Sequence, residues 1–194
     1  MNTTVALAKK LISFPSYILR ENNEKEIGEF IFQYLKKIPY FKVVKQKVAR
    51  NRWNIIAQTQ GDPQLFIAGH LDTVIPSQTH SRAGLTGSMS GDKLFGLGAL
   101  DTKGGIAALL DALSDFKKVK GLTLFFYCDE EYDFLGMKKF INQRKKRIGD
   151  LAILIEPTDL KIWNAQRGLV EIYFSVKGKK GHAANQDSGR NAIE

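Results

Sequence analysis

Three short segments, LFIAG (65–69), LTLFFYC (122–128) and LAILI (151–155), are almost wholly apolar. Successive side chains of a β-strand point to opposite faces, so a strand without polar alternation must be covered on both sides. Amphipathic helical patterns fall before and between these runs. Thr4–Ser13 stops before Pro15, Glu24–Ile38 places Ile27, Phe30, Ile31, Tyr34 and Leu35 on one helical face, and two more patterns cover Gly104–Phe116 and Phe134–Arg147. FKVVKQK (41–47) and WNIIAQT (53–59) read as further strands, and Gly61-Asp62-Pro63 as a turn. The stretch from Pro76 to Asp92 reads as loop. The expectation is an α/β fold: a mostly parallel sheet flanked by helices.

The pattern changes near the end. In LVEIYFSVKG, Val170, Ile172, Phe174 and Val176 alternate with Glu171, Tyr173, Ser175 and Lys177, as in a strand with one wet face. We therefore expect a first domain over residues 1–165, and the beginning of an α+β lid domain over residues 166–194. Asp187–Glu194 reads as a turn entering a helix that stops within its first turn, too short to stand alone in water. The expectation is that the sequence is cut short within the lid.

Composition excludes some classes. With 43% hydrophobic and 25% charged residues the chain is neither disordered nor fibrous. No apolar run approaches the roughly 18–20 residues of a membrane span, and no signal peptide is expected, so no membrane partner is foreseen. A single cysteine, Cys128, allows no intrachain disulfide and suits a cytoplasmic location. The net charge of +9 could mark a nucleic-acid binder. Its densest cluster, Arg144–Arg147, closes a helix pattern, where cations are favoured, and no aromatic-interleaved basic stripe accompanies it. A solvated face is preferred, with no nucleic acid as partner.

Four polar clusters each follow a strand or open a helix: His70-Leu71-Asp72, Asp101 within GLGALDTKGG, Asp129-Glu130-Glu131, and Glu156-Pro157-Thr158. In open α/β sheets ligands bind at the carboxyl ends of the strands, so one histidine and several carboxylates would reach one edge. That donor set suits zinc or related ions such as cobalt and manganese, and bound cations would relieve the repulsion among carboxylates whose motifs offer only Lys103 in return. Each cluster also has a plain reading. His70 could be a hydrogen-bonded core histidine, and Asp101 a helix N-cap. Glu130 and Glu131 could be a first-turn acidic pair, and Glu156 part of an exposed turn. Four such coincidences in order are less economical than one metal site.

HLDTV, GLGALDTKGG, DEE, EPT and GKKGHAA, together with LISFPS and GRNAI, resemble the family of acetylornithine deacetylase, succinyl-diaminopimelate desuccinylase, aminoacylase and the glutamate carboxypeptidases. The resemblance runs from about residue 5 to the end. It implies a zinc-exopeptidase-like fold with two divalent ions. His70 and Glu156 would bind one, Glu131 the other, and Asp101 both, with Asp72 orienting His70. Glu130 would be the general base, and His182 in Gly181-His182-Ala183-Ala184 the donor to the oxyanion. It also implies a cis Asp101–Thr102 peptide, a homodimer formed through the lid, and a substrate that is a small N-acylated amino acid or a short peptide.

Two departures accompany the resemblance. Tyr132 stands where many relatives have glycine after the acidic pair. The family completes its second metal site with a later histidine, whereas this chain has only His70, His80 and His182, leaving that site one ligand short. An inactive fragment of such an enzyme is therefore the alternative to a working hydrolase.

Overall fold

The computed structural model describes residues 3–19, 23–77, 86–144, 147–168, 170, 172–182 and 188–193. Two helices, α1 (Thr3–Ile12) and α2 (Lys25–Lys36), precede strands β1 (Lys42–Ala49), β2 (Arg52–Gln58) and β3 (Leu65–His70). A small hairpin follows, β4 (Ser88–Ser90) and β5 (Lys93–Phe95), and then α3 (Gly104–Ala112), β6 (Leu122–Tyr127), α4 (Leu135–Gln143) and β7 (Leu151–Leu154).

The main sheet has the order β1-β2-β6-β3-β7. β3 runs parallel to both β6 and β7, whereas β2 runs antiparallel to β6 and to β1. The α/β class is as the apolar runs required, and the β1–β2 hairpin makes the sheet mixed. Alternation explains the continuous apolar runs. Leu65 and Ile67 of β3, with Leu122, Leu124 and Phe126 of β6, pack into the core that α1, α2 and α3 cover. Phe66 and Ala68, with Phe125 and Tyr127, face the other way onto Phe140 of α4. Phe125 and Phe140 stack with centroids 4.2 Å apart. Every residue of β6 is buried, because it lies mid-sheet under helices on both faces.

This topology sets the working edge. Parallel strands β3, β6 and β7 end on the same side, and antiparallel β2 begins there. Ile55 pairs with Phe126, so the residues just before Ile55 lie beside those just after Phe126.

Some expectations are corrected. The presumed loop from Pro76 to Asp92 contains β4, turned into β5 by the two residues Gly91 (φ 59°) and Asp92. A Gly-Asp pair between short strands is a hairpin signal. Helix α4 ends at Gln143, so the basic cluster follows the helix instead of closing it. Lys145 and Lys146 lie outside the described residues, and Arg147 pairs with Asp150.

The chain divides into two compact units, residues 1–160 and 161–194. In the second, residues 172–178 form no strand, and apolar and polar members of the alternation are both exposed, with Phe174 at 86% and Tyr173 at 87%. A strand is held by a ladder to a neighbour, and this unit shows the isolated bridge Lys179–Arg190 and no strand among the described residues. Residues 188–193 form no α-helix either.

Candidate metal centre

His70 is the last residue of β3, and its side chain is fully inaccessible. Its Nδ1 donates to the main-chain oxygen of Asp72 at 2.9 Å, which directs Nε2 toward Asp101 Oδ1, 2.8 Å away. A nitrogen fixed as donor on one side leaves the other as the ligand atom of the neutral ring. Burial alone lowers the imidazole pKa. The hydrogen bond to Asp101 and the charges of Asp72, Asp101 and Glu156 outweigh it and push the pKa up to about 9.

The orienting contact on His70 is thus the backbone of Asp72 and not its carboxylate, whose Oδ1 is 3.7 Å from Nδ1. That carboxylate accepts the amide N–H groups of Glu130 (3.0 Å) and Glu131 (2.9 Å). Asp72 therefore fastens the turn after β6 to the turn after β3.

Asp101 lies in a single π-type turn, Ala99–Lys103, just before α3, and the Asp101–Thr102 peptide is cis. No side-chain cap bond is formed at the start of this turn or of α3, so the N-cap reading of Asp101 gives way to its contact with His70. Glu130 and Glu131 lie in the turn before α4, which starts only at Leu135, so they are not a first-turn pair. Ligand atoms of His70, Asp101 and Glu131 all lie within 4.8 Å of one another.

Glu156 follows β7, whose pairing with β3 is prolonged by the Ile155 N–H donating to Ala68 O at 2.8 Å. Its residue surface is open to solvent, yet partial desolvation and the charges of Asp101, Glu130 and Glu131 raise its carboxyl to about 7 against the pull of His70. Desolvation and neighbouring carboxylates likewise raise Glu130 and Glu131. Four carboxylates around one imidazole form a site short of positive charge, with oxygen and nitrogen donors suited to a divalent ion. The residues present fit the metal that the resemblance implies.

An open cleft of about 300 Å³ adjoins this cluster, with Asp101 and Glu131 in its wall and Thr73, Val74, Leu97 and Leu100 along it. Two larger clefts, of about 660 and 430 Å³, are lined by residues of β1 and its surroundings and contain no candidate site residue. Lys103, the one cation offered by the motifs, is 2% exposed and donates to Phe14 O at 2.8 Å, tying LISFPS to the Asp101 turn. Burial lowers its pKa to about 7. His182 belongs to the second unit, where its N–H donates to Ser188 Oγ at 3.3 Å. His80 lies outside the described residues.

Sequence reasoning missed Glu24, Arg52 and Asn54. All three bond to the segment around the acidic pair. The available signal was Arg52-x-Asn54 opening an otherwise apolar strand, two polar residues on one face.

A mixed α/β sheet thus brings His, Asp and Glu donors together beside the ends of its parallel strands, a set suited to a divalent ion. Residues 66–185 match peptidase family M20/M25/M40, and the chain belongs to that family of metal-dependent amidohydrolases and peptidases. It is 29% identical over 199 aligned residues to an acetylornithine deacetylase of Buchnera aphidicola subsp. Acyrthosiphon pisum (strain 5A), covering 98% of this chain and 52% of that protein. The chain thus spans about half the length of the curated relatives it matches. Human carnosine dipeptidase 1 superposes with a TM-score of 0.69 at 16% identity, over 78% of this chain and 38% of that one. An M20 family metallo-carboxypeptidase of Sulfolobus solfataricus gives 0.61 at 20% identity, over 80% and 37%.

Proposed function

We propose that the chain supplies most of the metal-binding half of an enzyme that hydrolyses the amide bond of a small N-acylated amino acid or a short peptide. The observation that carries this reading is the convergence of His70, Asp101 and Glu131 on one point at the sheet edge. Similarity to acetylornithine deacetylase favours the acyl-amino acid. The adjoining cleft, walled by Val74, Leu97 and Leu100 beside two carboxylates, suits a small group with an apolar surface.

His70, Asp101, Glu131 and Glu156 would hold two divalent ions, zinc before cobalt or manganese, with Asp101 shared between them. When bound, such ions acidify water and polarise the acyl carbonyl. Glu130 takes the proton from the attacking water and delivers it to the leaving amine. Burial, with the charges of Asp72 and Asp101, raises its carboxyl above the ordinary range, the direction that favours holding the proton before it is returned. His182 is assigned to the oxyanion, on the strength of the GKKGHAA motif, and residues 166–194 to the start of a lid through which two copies pair.

The experiment is metal counting on the native chain and on His70→Ala, together with release of free amine from N-acetylated and N-succinylated amino acids. Binding of zinc that His70→Ala abolishes is the expected result. A native chain that takes up no zinc overturns the assignment of these ligands. Zinc binding without amine release identifies residues 1–194 as an inactive fragment of such an enzyme.

A further inference from the structure

Beneath the acidic pair lies a buried ion cluster with no part in the chemistry above. Glu24, immediately before α2, has a fully inaccessible side chain. Arg52, the first residue of β2, donates through Nε and Nη2 to its two oxygens at 2.9 and 2.6 Å. The same Nη2 also reaches Asp129 Oδ1 at 2.5 Å. Glu24 Oε1 accepts the Asp129 N–H at 3.0 Å, and Asp129 Oδ2 accepts those of Asp133 (3.2 Å) and Leu135 (3.3 Å).

Two carboxylates and one guanidinium, all withdrawn from water, form a poor source of net stability, because desolvation consumes most of the attraction. Their placement gives them another role. Asp129 adopts φ 70°, the left-handed region in which a non-glycine residue persists only where its surroundings over-determine it. That one residue turns the chain from buried β6 out to Glu130 and Glu131. Asn54, two positions along β2, accepts the Cys128 N–H at 3.3 Å and donates to Gly136 O at 2.8 Å, gripping both ends of the turn. With Asp72 holding the amides of Glu130 and Glu131, the turn is clamped from two sides.

We propose that Arg52 is a positioning residue for the acidic pair: by bridging Glu24 and Asp129 it locks the left-handed turn that aims Glu130 and Glu131 at His70 and Asp101. The effect on metal binding rests on the reading of Glu131 as a ligand, whereas the locking of the turn does not. The fork is essential, since a lysine in its place is a point charge without the planar geometry that serves two carboxylates at once.

The test compares the native chain with Arg52→Lys by amide hydrogen exchange and by Co²⁺ titration followed through its visible absorption. We expect the amides of residues 129–133 to exchange at least tenfold faster in Arg52→Lys while those of β3 and β6 change less than twofold. Co²⁺ bound through His70 is expected to weaken at least tenfold. Unchanged loop exchange, or acceleration spread evenly through the sheet, overturns the proposal. A loosened loop with unaltered Co²⁺ affinity supports the locking of the turn and overturns the reading of Glu131 as a ligand. Should Arg52→Lys not fold, Asp129→Asn, which removes one charge and turns one of the two acceptor oxygens into a donor, is read the same way. A native chain that binds no Co²⁺ through His70 sinks the metal reading, and loop exchange then decides the Arg52 inference alone.

Discussion

His70 Nε2 and Asp101 Oδ1 are 2.8 Å apart, so the two groups assigned to one metal are hydrogen-bonded to each other. A proton on His70 supplies positive charge to that contact. Ligation requires the neutral ring, so metal uptake must expel that proton. With the imidazole pKa at about 9, the ring is protonated throughout the neutral range. Zinc affinity is therefore expected to rise about tenfold per pH unit from pH 6 to 9, if one proton is displaced. Calorimetry at pH 7.5 in buffers of differing ionisation enthalpy measures this directly. An affinity flat over that range refutes it.

The same shift has a sign for the metal-free chain. A folded pKa above the ordinary 6.5 means the protonated ring stabilises the fold fully below pH 6.5, and this contribution is lost as pH rises through 9. Melting of the native chain is expected to weaken across that window, and the slope to flatten in His70→Asn. Chelator-treated protein scanned by calorimetry at half-unit steps gives the comparison.

Glu130 and Glu131 are neighbours with separable duties. Glu130→Gln is expected to retain bound metal and to lose roughly 10²–10⁴-fold in amide hydrolysis, the usual contribution of a positioned base. Glu131→Gln is expected to weaken metal binding instead. Metal content and amine release on the two variants decide between base and ligand. Undiminished hydrolysis by Glu130→Gln removes it from the reaction.

Asp72 is expected to matter more than a residue that only orients a ring. Its two oxygens satisfy the amides of Glu130 and Glu131, and each buried N–H left without an acceptor costs about 1–3 kcal/mol. Asp72→Ala should lose stability on that scale, whereas Asp72→Asn, with one carbonyl oxygen remaining, should lose about half as much. Chemical denaturation of the metal-free variants checks the order. Equal stability of Asp72→Ala and the native chain contradicts the clamp.

How much of this was legible depends on the distance over which each cause acts. The central strands declared themselves because β6 is apolar on both faces, and burial on both faces is what a strand in mid-sheet requires. The edge at which His70, Glu131 and Glu156 gather followed from their places after parallel strands. The Arg52 cluster was not legible, since Glu24, Arg52 and Asp129 are far apart in the chain and meet only because β2 runs against β6. The division of Asp72 between a backbone carbonyl for His70 and a carboxylate for two amides depends on side-chain rotamers that no spacing rule encodes. The terminal strand failed for the opposite reason: its alternation was clear, but among the described residues no neighbouring strand forms a ladder with it.

Strand β7 carries the last expectation. It pairs with β3 along one side, and among the described residues no strand covers the other. Leu151, Ile153 and Leu154 are 62%, 45% and 54% exposed. An unpaired, apolar strand edge is a template for intermolecular pairing, and a lysine on such an edge is the common natural remedy. Residues 1–194 alone are therefore expected to self-associate with rising concentration. Leu151→Lys should reduce that association while changing stability by less than about 1 kcal/mol, because the side chain it replaces is already mostly in water. Sedimentation velocity over a tenfold concentration range provides the measurement. Equal association of the two proteins would place the sticky surface elsewhere, with the exposed apolar residues of the second unit, such as Ile172 and Phe174, next in line.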